Sequence, residues 1–130
     1  MEAGGVLRII IVDDDEAMLK ILRPRLEIPG STEVVTALTP EQALAALPPE
    51  GTPLAVISDF NLKAERNGLQ LLDAIARTHP HATRILISGY SADQIGIGSD
   101  ERIHAFVEKD LRVENIVAPI LRTLRARYGG

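Results

Sequence analysis

Five short apolar runs, separated by stretches long enough for helices, constrain the fold of this chain more than any other feature. The runs cover residues 7–12, 33–38, 54–58, 84–87 and 103–107. Nearly continuous apolar strands of this kind are buried on both faces, as in a parallel sheet covered by helices. Connections of helical length favour parallel neighbours joined by right-handed crossovers. The pattern therefore predicts a three-layer α/β fold in which a strand and a helix alternate five times.

Helix starts and ends are visible in the stretches between the runs. The segment Thr39-Pro40-Glu41-Gln42 has the capping-box pattern with proline at the first helical position, which predicts a helix that ends near Leu47. Asn67 is the predicted cap of another helix, which ends near His79-Pro80.

Prolines and glycines predict departures from ideal helices. The first helix, about residues 16–27, contains Pro24 and the last contains Pro119, so we expect a bend or a shifted boundary at each. Gly96 and Gly98 make the fourth helix the least stable of the five. The predicted inner stripe of the last helix consists of Val117, Leu121 and Leu124.

Length and composition indicate one domain, residues 1–130, with an ordered core of about residues 7–127. There is no cysteine, which excludes disulfide scaffolds, thiolate metal sites and cysteine nucleophiles. No apolar run approaches the roughly 20 residues that cross a bilayer, and the first residues do not resemble a secretory signal. We therefore expect a cytoplasmic protein without membrane contacts. A net charge of −4 and only four aromatic residues argue against direct nucleic-acid binding.

Polar side chains collect at the predicted carboxyl ends of the strands, the edge at which open parallel sheets bind ligands. Asp13 and Asp14 follow the first run, Asp59 follows the third, Ser88 follows the fourth and Lys109 follows the fifth. Because the carboxyl ends of parallel strands meet at one edge, these five groups from distant parts of the chain are expected to lie together.

The chemistry of this set favours phosphoryl transfer. Three carboxylates on one edge repel each other and raise one another's pKa unless a cation joins them, and carboxylate oxygens suit Mg²⁺. A carboxylate can also attack phosphorus and form an aspartyl phosphate. Asp59 fits the nucleophile, Asp13 and Asp14 the metal ligands, Lys109 the counter-charge and Ser88 a hydroxyl that detects the transferred group.

Each of these residues also has an ordinary structural interpretation. Taken singly, Asp13-Asp14-Asp15 fits a turn and helix cap, Ser88-Gly89 fits a turn, and Lys109 fits a solvated surface lysine. Asp15 is the predicted cap of the first helix in either case. The joint placement at strand ends favours the functional interpretation. The three histidines lack metal-ligand spacing and are expected on the surface or in packing contacts: His79, His81 and His104.

Four segments together resemble the CheY-like receiver domain of bacterial two-component response regulators. They are IIIVDDD at residues 9–15, VISD at 56–59, ILISGY at 85–90 and AFVEK at 105–109. The resemblance covers about residues 7–127. It implies a flavodoxin-like (βα)5 fold with strand order 2-1-3-4-5, the order of the flavodoxin-like members of this family.

The resemblance also implies a role for each site residue. Asp59 would accept a phosphoryl group from a histidine kinase or a histidine phosphotransfer protein. Asp14 and Asp59, with the backbone carbonyl of Asn61, would bind Mg²⁺, or Mn²⁺ as a substitute, while Asp13 helps through a water molecule. Asn61 and Tyr90 would flank the attacking water and tune how long the phosphoryl group survives.

Further residues would report phosphorylation to partners. Ser88 and Phe106 resemble the switch pair of the family, in which the hydroxyl turns toward the phosphoryl group and the aromatic ring moves inward. Gly89 would leave room beside the phosphate. The change would be read on the face formed by the fourth helix, the fifth strand and the fifth helix, by an unknown downstream protein or a second copy of the chain.

Two departures from the family pattern stand out. Asp110 follows the lysine where the family has a proline with a cis peptide bond, so either the bond is still cis or the loop differs. The segment 62–68 lacks the usual proline and is one residue longer, as in receivers attached to hybrid sensor kinases.

The leading hypothesis is a signalling phosphoacceptor that catalyses only its own phosphorylation and slow dephosphorylation. One alternative is a degenerate receiver that serves as a phosphorylation-independent interaction module. A phosphatase of the aspartyl-phosphate type is a third hypothesis, disfavoured because no second acid is placed to release the phosphate. The chain is interpreted either as a stand-alone regulator or as a receiver excised from a hybrid histidine kinase or a larger response regulator.

Overall fold

Strands and helices alternate five times along the chain, as the apolar pattern predicts. The computed structural model describes residues 5–98 and 100–129. The elements are β1 (Leu7–Val12), α1 (Glu16–Leu26), β2 (Thr32–Ala37), α2 (Pro40–Ala45), β3 (Leu54–Asp59), α3 (Gly68–Thr78), β4 (Thr83–Ser88), α4 (Ala92–Ile95), β5 (Ala105–Glu108) and α5 (Glu114–Tyr128).

The five strands form one parallel sheet with the order β2-β1-β3-β4-β5, so the flavodoxin-like prediction is confirmed. The register aligns the carboxyl ends of the strands. Val12 pairs with both Ala37 and Ser58, and Asp59 pairs with Ile87. The residues that follow β1 therefore lie beside the last residue of β3.

Helices cover both faces of the sheet, which explains why the middle residues of the central strands are apolar. Ile9 and Ile11 of β1 pack with α1 and α5, whereas Ile10 and Val12 pack on the opposite face with α2 and α3. Every residue of β3 and β4 is buried. Full burial of one isoleucine or leucine side chain contributes about 1.5–3 kcal/mol, so the apolar cores on the two faces of the sheet stabilise the fold strongly.

The predicted helix starts are confirmed, and several predicted ends shift. Asp15 caps α1 by accepting a hydrogen bond from the Ala17 amide (3.0 Å). Asn67 forms a complete capping box with Gln70. Thr39 caps α2, but that helix ends at Ala45, two residues before the predicted end.

The inner stripe of α5 differs from the prediction. The buried positions are Ile116, Ile120 and Leu124, whereas Val117 and Leu121 are half-buried and pack against the edge of the core. The helix presents its i, i+4, i+8 row to the sheet, and the periodicity alone did not distinguish this row from its neighbour.

The prolines do not end their helices, whereas a glycine marks the end of the fourth helix. Pro24 and Pro119 lie inside α1 and α5, and both helices continue past them. The fourth helix is a single turn that ends at Gly96, whose φ of +72° suits a residue without a side chain. That this helix is the least stable of the five stays a prediction; it has four residues, none of them buried. Among the described residues, no helix combines the length and the apolar character that crossing a membrane requires.

Candidate functional site

Three aspartates meet at the carboxyl edge of the sheet. Asp13 follows β1 and is 3% exposed, Asp59 ends β3 and is 7% exposed, and Asp14 is half-buried. One carboxylate oxygen of each lies within 4.8 Å of the other two. No other group of three acidic or histidine side chains comes this close in the described part of the chain, and none of the histidines joins it. The predicted cluster is therefore present.

Backbone hydrogen bonds that extend the strand ladder position this edge. The amide of Asp13 donates to the carbonyl of Ala37 in β2 (3.1 Å). The amide of Phe60 donates to Ile87 (2.7 Å), and the amide of Lys109 donates to Ser88 (2.7 Å). Because each functional side chain is on or next to a residue fixed in this way, the site is held by the sheet and not by flexible loops.

Lys109 joins two of the aspartates. Its Nζ atom lies 3.3 Å from Asp13 Oδ2 and 3.3 Å from Asp59 Oδ1. No cis peptide bond occurs among the described residues, so the bond between Lys109 and Asp110 is trans and the loop departs from the family geometry. The Asp110 carboxylate accepts a hydrogen bond from the Arg112 amide (2.8 Å) and is exposed. The lysine thus reaches the cluster without a proline after it.

The electrostatics of the cluster leave its carboxylates short of positive charge. Burial, followed by the neighbouring Asp13, raises the pKa of Asp59 to about 6, although Lys109 opposes this rise. Burial also raises the pKa of Asp13, against the Asp15 amide and Lys109. Burial alone would lower the pKa of Lys109, but the two aspartates outweigh it and raise that pKa. A further cation at this site would stabilise the ionised carboxylates.

The two predicted switch residues, Ser88 and Phe106, lie at different positions along their strands. Ser88 is buried at the end of β4, at the carboxyl edge of the sheet, which is called the rim. Its Oγ accepts a hydrogen bond from the Tyr90 amide (3.0 Å). Phe106 is half-buried two residues farther back, paired with Leu86, and packs against the core on the α3 face. Gly89 has open space where a side chain would project. Asn61 and Tyr90 are exposed at the rim.

Gly68 is a site residue that the sequence analysis overlooked. A Cβ atom on Gly68 would lie 2.0 Å from the backbone oxygen of Asp59, and its amide donates to the Phe60 carbonyl (2.7 Å). The first turn of α3 therefore packs directly against the backbone of Asp59. A glycine directly after a helix cap is the sequence signal for such a close approach, since glycine disfavours helices.

Lys63 is a second residue that the sequence analysis did not single out. Its Nζ lies 3.8 Å from Asp14 Oδ2, and its side chain is 78% exposed. A lone loop lysine carries no sequence signal for such a contact, because solvated lysines are common on loops.

Comparison with known proteins identifies the family. The model of the response regulator receiver domain matches residues 9–121. The regulatory protein NtrX of Azorhizobium caulinodans is 32% identical over 124 residues, which cover 92% of this chain and 27% of that protein. The photosynthetic apparatus regulatory protein RegA of Rhodobacter capsulatus is 28% identical over 92 residues, or 70% of this chain and 48% of RegA.

A solved structure agrees with these matches. The CheY-like receiver domain protein of Methanospirillum hungatei JF-1 superposes with a TM-score of 0.76 at 26% identity, covering 95% of this chain and 97% of that one. The chain therefore belongs to the response regulator receiver domains of two-component systems. It spans less than half the length of either curated relative.

Membership in the family gives the cluster a general meaning. Receiver domains generally bind Mg²⁺ at a cluster of aspartates, and this chain has such a cluster in Asp13, Asp14 and Asp59. Receiver domains also interact with histidine kinases and with downstream effectors.

Proposed function

We propose that the chain is a phosphoacceptor in a two-component phosphorelay and that Asp59 carries the phosphoryl group. The proposal depends on one observation, the contact of Lys109 Nζ with both Asp13 and Asp59 at 3.3 Å each. An ammonium group in this place can neutralise a phosphoryl oxygen on Asp59 as well as the resting carboxylate. The donor is a phosphohistidine of a histidine kinase or of a histidine phosphotransfer protein.

The transfer replaces one bond to phosphorus by another. An ionised oxygen of Asp59 attacks the phosphorus atom and forms an O–P bond while the N–P bond of the donor breaks. The electron pair of the broken bond returns to the imidazole nitrogen, so a donor ring protonated on its other nitrogen leaves as neutral imidazole. With a pKa of about 6, Asp59 is mostly ionised at neutral pH and is able to attack.

The residues at the rim fit a hard divalent cation. Asp14, Asp59 and the backbone carbonyl of Asn61 would hold Mg²⁺, or Mn²⁺ in its place, and Asp13 would act through a water molecule. When bound, the ion neutralises negative charge on the carboxylates and on the phosphoryl oxygens. The Asp13 carboxylate is already oriented for this role, because it accepts a hydrogen bond from the Asp15 amide (2.8 Å).

Ser88 and Phe106 would convert the modification into a change of surface. In the unmodified protein Ser88 Oγ accepts a hydrogen bond from Tyr90, which a turn of the hydroxyl toward the phosphoryl group would break. The inward movement of the Phe106 ring would then alter the face of α4, β5 and α5. The short α4, with few contacts to hold it, is suited to a shift between two states. Gly89 leaves open space beside the phosphoryl group.

The role proposed for the chain is signalling and not turnover of a substrate. It would catalyse only its own phosphorylation and slow hydrolysis, with Asn61 and Tyr90 setting the lifetime of the phosphoryl group. A downstream protein, or a second copy of the chain, would bind the altered face, and the setting would be the cytoplasm.

Phosphorylation by a small donor tests the proposal. Purified protein is incubated with acetyl phosphate and MgCl₂, and intact-protein mass spectrometry counts the added phosphoryl groups. We expect one group on the wild type and none on Asp59→Asn. Asp73→Asn is the matched control, because Asp73 is also paired with a cation, Arg77 at 3.1 Å, on the exposed side of α3.

The alternatives predict different results in the same assay. A phosphorylation-independent interaction module would take up no phosphoryl group while it remains folded. A phosphatase would release phosphate from monoesters over many turnovers. Either result would contradict the proposal.

A further inference from the structure

The loop between β3 and α3 places a second ammonium group at the acidic cluster. Lys63 Nζ lies 3.8 Å from Asp14 Oδ2, while Lys109 contacts Asp13 and Asp59. Each of the three aspartates therefore has a lysine within ion-pair distance. In the described ranges, no other cation lies within 4 Å of these carboxylates.

The fold holds the backbone of Lys63 in place at both ends of the loop. The preceding residue, Leu62, is buried in the core on the α3 face. At the other end, Gly68 donates a hydrogen bond to the Phe60 carbonyl (2.7 Å). Lys63 itself has a φ of +50°, the only left-handed conformation of a non-glycine residue in the described part of the chain. A lysine tolerates this conformation poorly, so the surrounding loop imposes it.

We propose that Lys63 is a tethered counter-ion of the metal site, which competes with Mg²⁺ for Asp14 and strengthens the coupling between metal binding and phosphorylation. The proposal rests on the proposed function, since it assumes that Asp14 is a ligand of Mg²⁺. The side chain is 78% exposed, so its ammonium group can leave Asp14 when the metal arrives and can approach the rim again afterwards.

The charges at the rim give the direction of the effect. Three carboxylates against two ammonium groups leave one net negative charge, and without Lys63 they leave two. A divalent ion therefore makes the unmodified site positive when Lys63 is present and only neutral when it is absent. A phosphoryl group on Asp59 carries about two negative charges and replaces the single charge of the free carboxylate, so phosphorylation adds about one negative charge. The metal-bound site with Lys63 then comes close to neutrality. Lys63 thus opposes Mg²⁺ at the resting site and favours the phosphorylated one.

Magnesium titrations of the metal-free protein test this proposal. Chemical shifts of backbone amides at the rim are followed by NMR while MgCl₂ is added to the wild type and to Lys63→Met. We expect the variant to bind Mg²⁺ about two- to fivefold more tightly at low salt, the range expected for one exposed ion pair. At about 1 M salt, where the Debye length is about 3 Å, the difference should narrow. Lys63→Arg keeps the charge and should bind like the wild type.

Lys20 provides the matched control. Its side chain is 77% exposed and its Nζ lies 4.0 Å from Glu16, so Lys20→Met removes an equivalent charge from an equivalent pair outside the cluster. Tighter binding in Lys63→Met but not in Lys20→Met supports the proposal. Equal binding of the wild type and Lys63→Met would overturn it. Weaker binding of Lys63→Met would also overturn it, because Lys63 would then orient Asp14 for the metal.

The failure of this inference and the failure of the proposed function are distinguishable. If the folded wild type shows no response to MgCl₂, the metal site itself is refuted and the inference falls with it. If the wild type binds Mg²⁺ and accepts a phosphoryl group while Lys63→Met behaves identically, only the role of Lys63 is refuted.

Discussion

Replacement of Gly68 by alanine should disturb the protein more than any other substitution of similar size. The new Cβ would lie 2.0 Å from the Asp59 carbonyl oxygen, 2.8 Å from its carbonyl carbon and 2.9 Å from Ser58 Oγ. All three separations are well inside van der Waals contact, so the first turn of α3 or the end of β3 has to move by roughly 1 Å or more. Both are backbone segments within the core and cannot move independently.

The magnitude follows from two opposing terms. Overpacking usually costs about 1–3 kcal/mol, and a clash with backbone places Gly68→Ala at the upper end of this range. Alanine in a helix gains at most about 1 kcal/mol over glycine. We therefore expect a net loss of about 2 kcal/mol in the free energy of unfolding. The movement of Asp59 relative to Lys109 should also slow phosphorylation by acetyl phosphate.

Urea denaturation followed by circular dichroism measures this loss. Gly89→Ala is the control for stability, because no atom beyond the neighbouring residues in the chain would lie within 4 Å of its Cβ and its φ is not positive. We expect its free energy of unfolding to stay within about 0.5 kcal/mol of the wild type. If Gly68→Ala is as stable as the wild type, or more stable as an exposed helical glycine would predict, the close approach of α3 to Asp59 is wrong.

Two further substitutions test the electrostatics. Lys109→Ala removes the ammonium group that lowers the pKa of Asp59, so that pKa should rise above about 6 in an NMR titration of the carboxyl carbon. The variant should accept a phosphoryl group poorly and show no beryllofluoride-induced shifts in α4, β5 and α5; normal shifts would contradict the role of Lys109 as counter-charge. Burial, with Arg127 and Arg84 nearby, lowers the pKa of His104 to about 4 from 6.5, and its Nδ1 accepts a hydrogen bond from the Arg84 amide. Between pH 6.5 and 4, His104 therefore binds a proton in the unfolded chain but not in the folded chain. The free energy of unfolding consequently falls as the pH falls. Because His104 is only partly buried and solvent screens its charge, we expect a loss of only about 1 kcal/mol. In urea midpoints measured against pH, His104→Asn, which keeps an acceptor but does not titrate, should lack this loss; parallel curves for the two proteins would refute the assignment.

The pH dependence of the whole protein contains an opposing contribution from the aspartates. The pKa of Asp59 is raised in the folded state, so the folded chain binds a proton more readily than the unfolded one as the pH falls through about 6. This contribution stabilises the fold in acid, whereas that of His104 destabilises it. Only the difference between the wild type and the His104 variant isolates the histidine.

The parallel sheet could be predicted from the sequence because burial of a strand on both faces requires an apolar run. A strand that is buried on both faces, such as β3, is apolar along most of its length, and its last residue falls on a defined edge of the sheet. Once the strands are parallel, the meeting of Asp13, Asp14, Asp59 and Lys109 follows from topology, and their contacts agree with that prediction. The strand order itself came from the family resemblance and not from the pattern.

Contacts that depend on the exact position of the backbone could not be predicted from the sequence. The buried row of α5 is offset from the predicted stripe, because Val117 and Ile116 are equally apolar and only packing distinguishes them. The close approach of Gly68 to the Asp59 backbone, which leaves no room for a Cβ atom, depends on the angle at which α3 leaves the loop. The contact of Lys63 with Asp14 depends on a left-handed residue that no local preference of lysine would predict.

The location of the phosphoryl group tests the central claim most directly. Protein treated with acetyl phosphate is reduced with borohydride, which converts an acyl phosphate to an alcohol, and its peptides are then analysed by mass spectrometry. We predict that the modified residue is Asp59 and that chelation of Mg²⁺ by EDTA abolishes the modification. Modification of another residue, or equal modification of Asp59 with and without EDTA, would contradict the account.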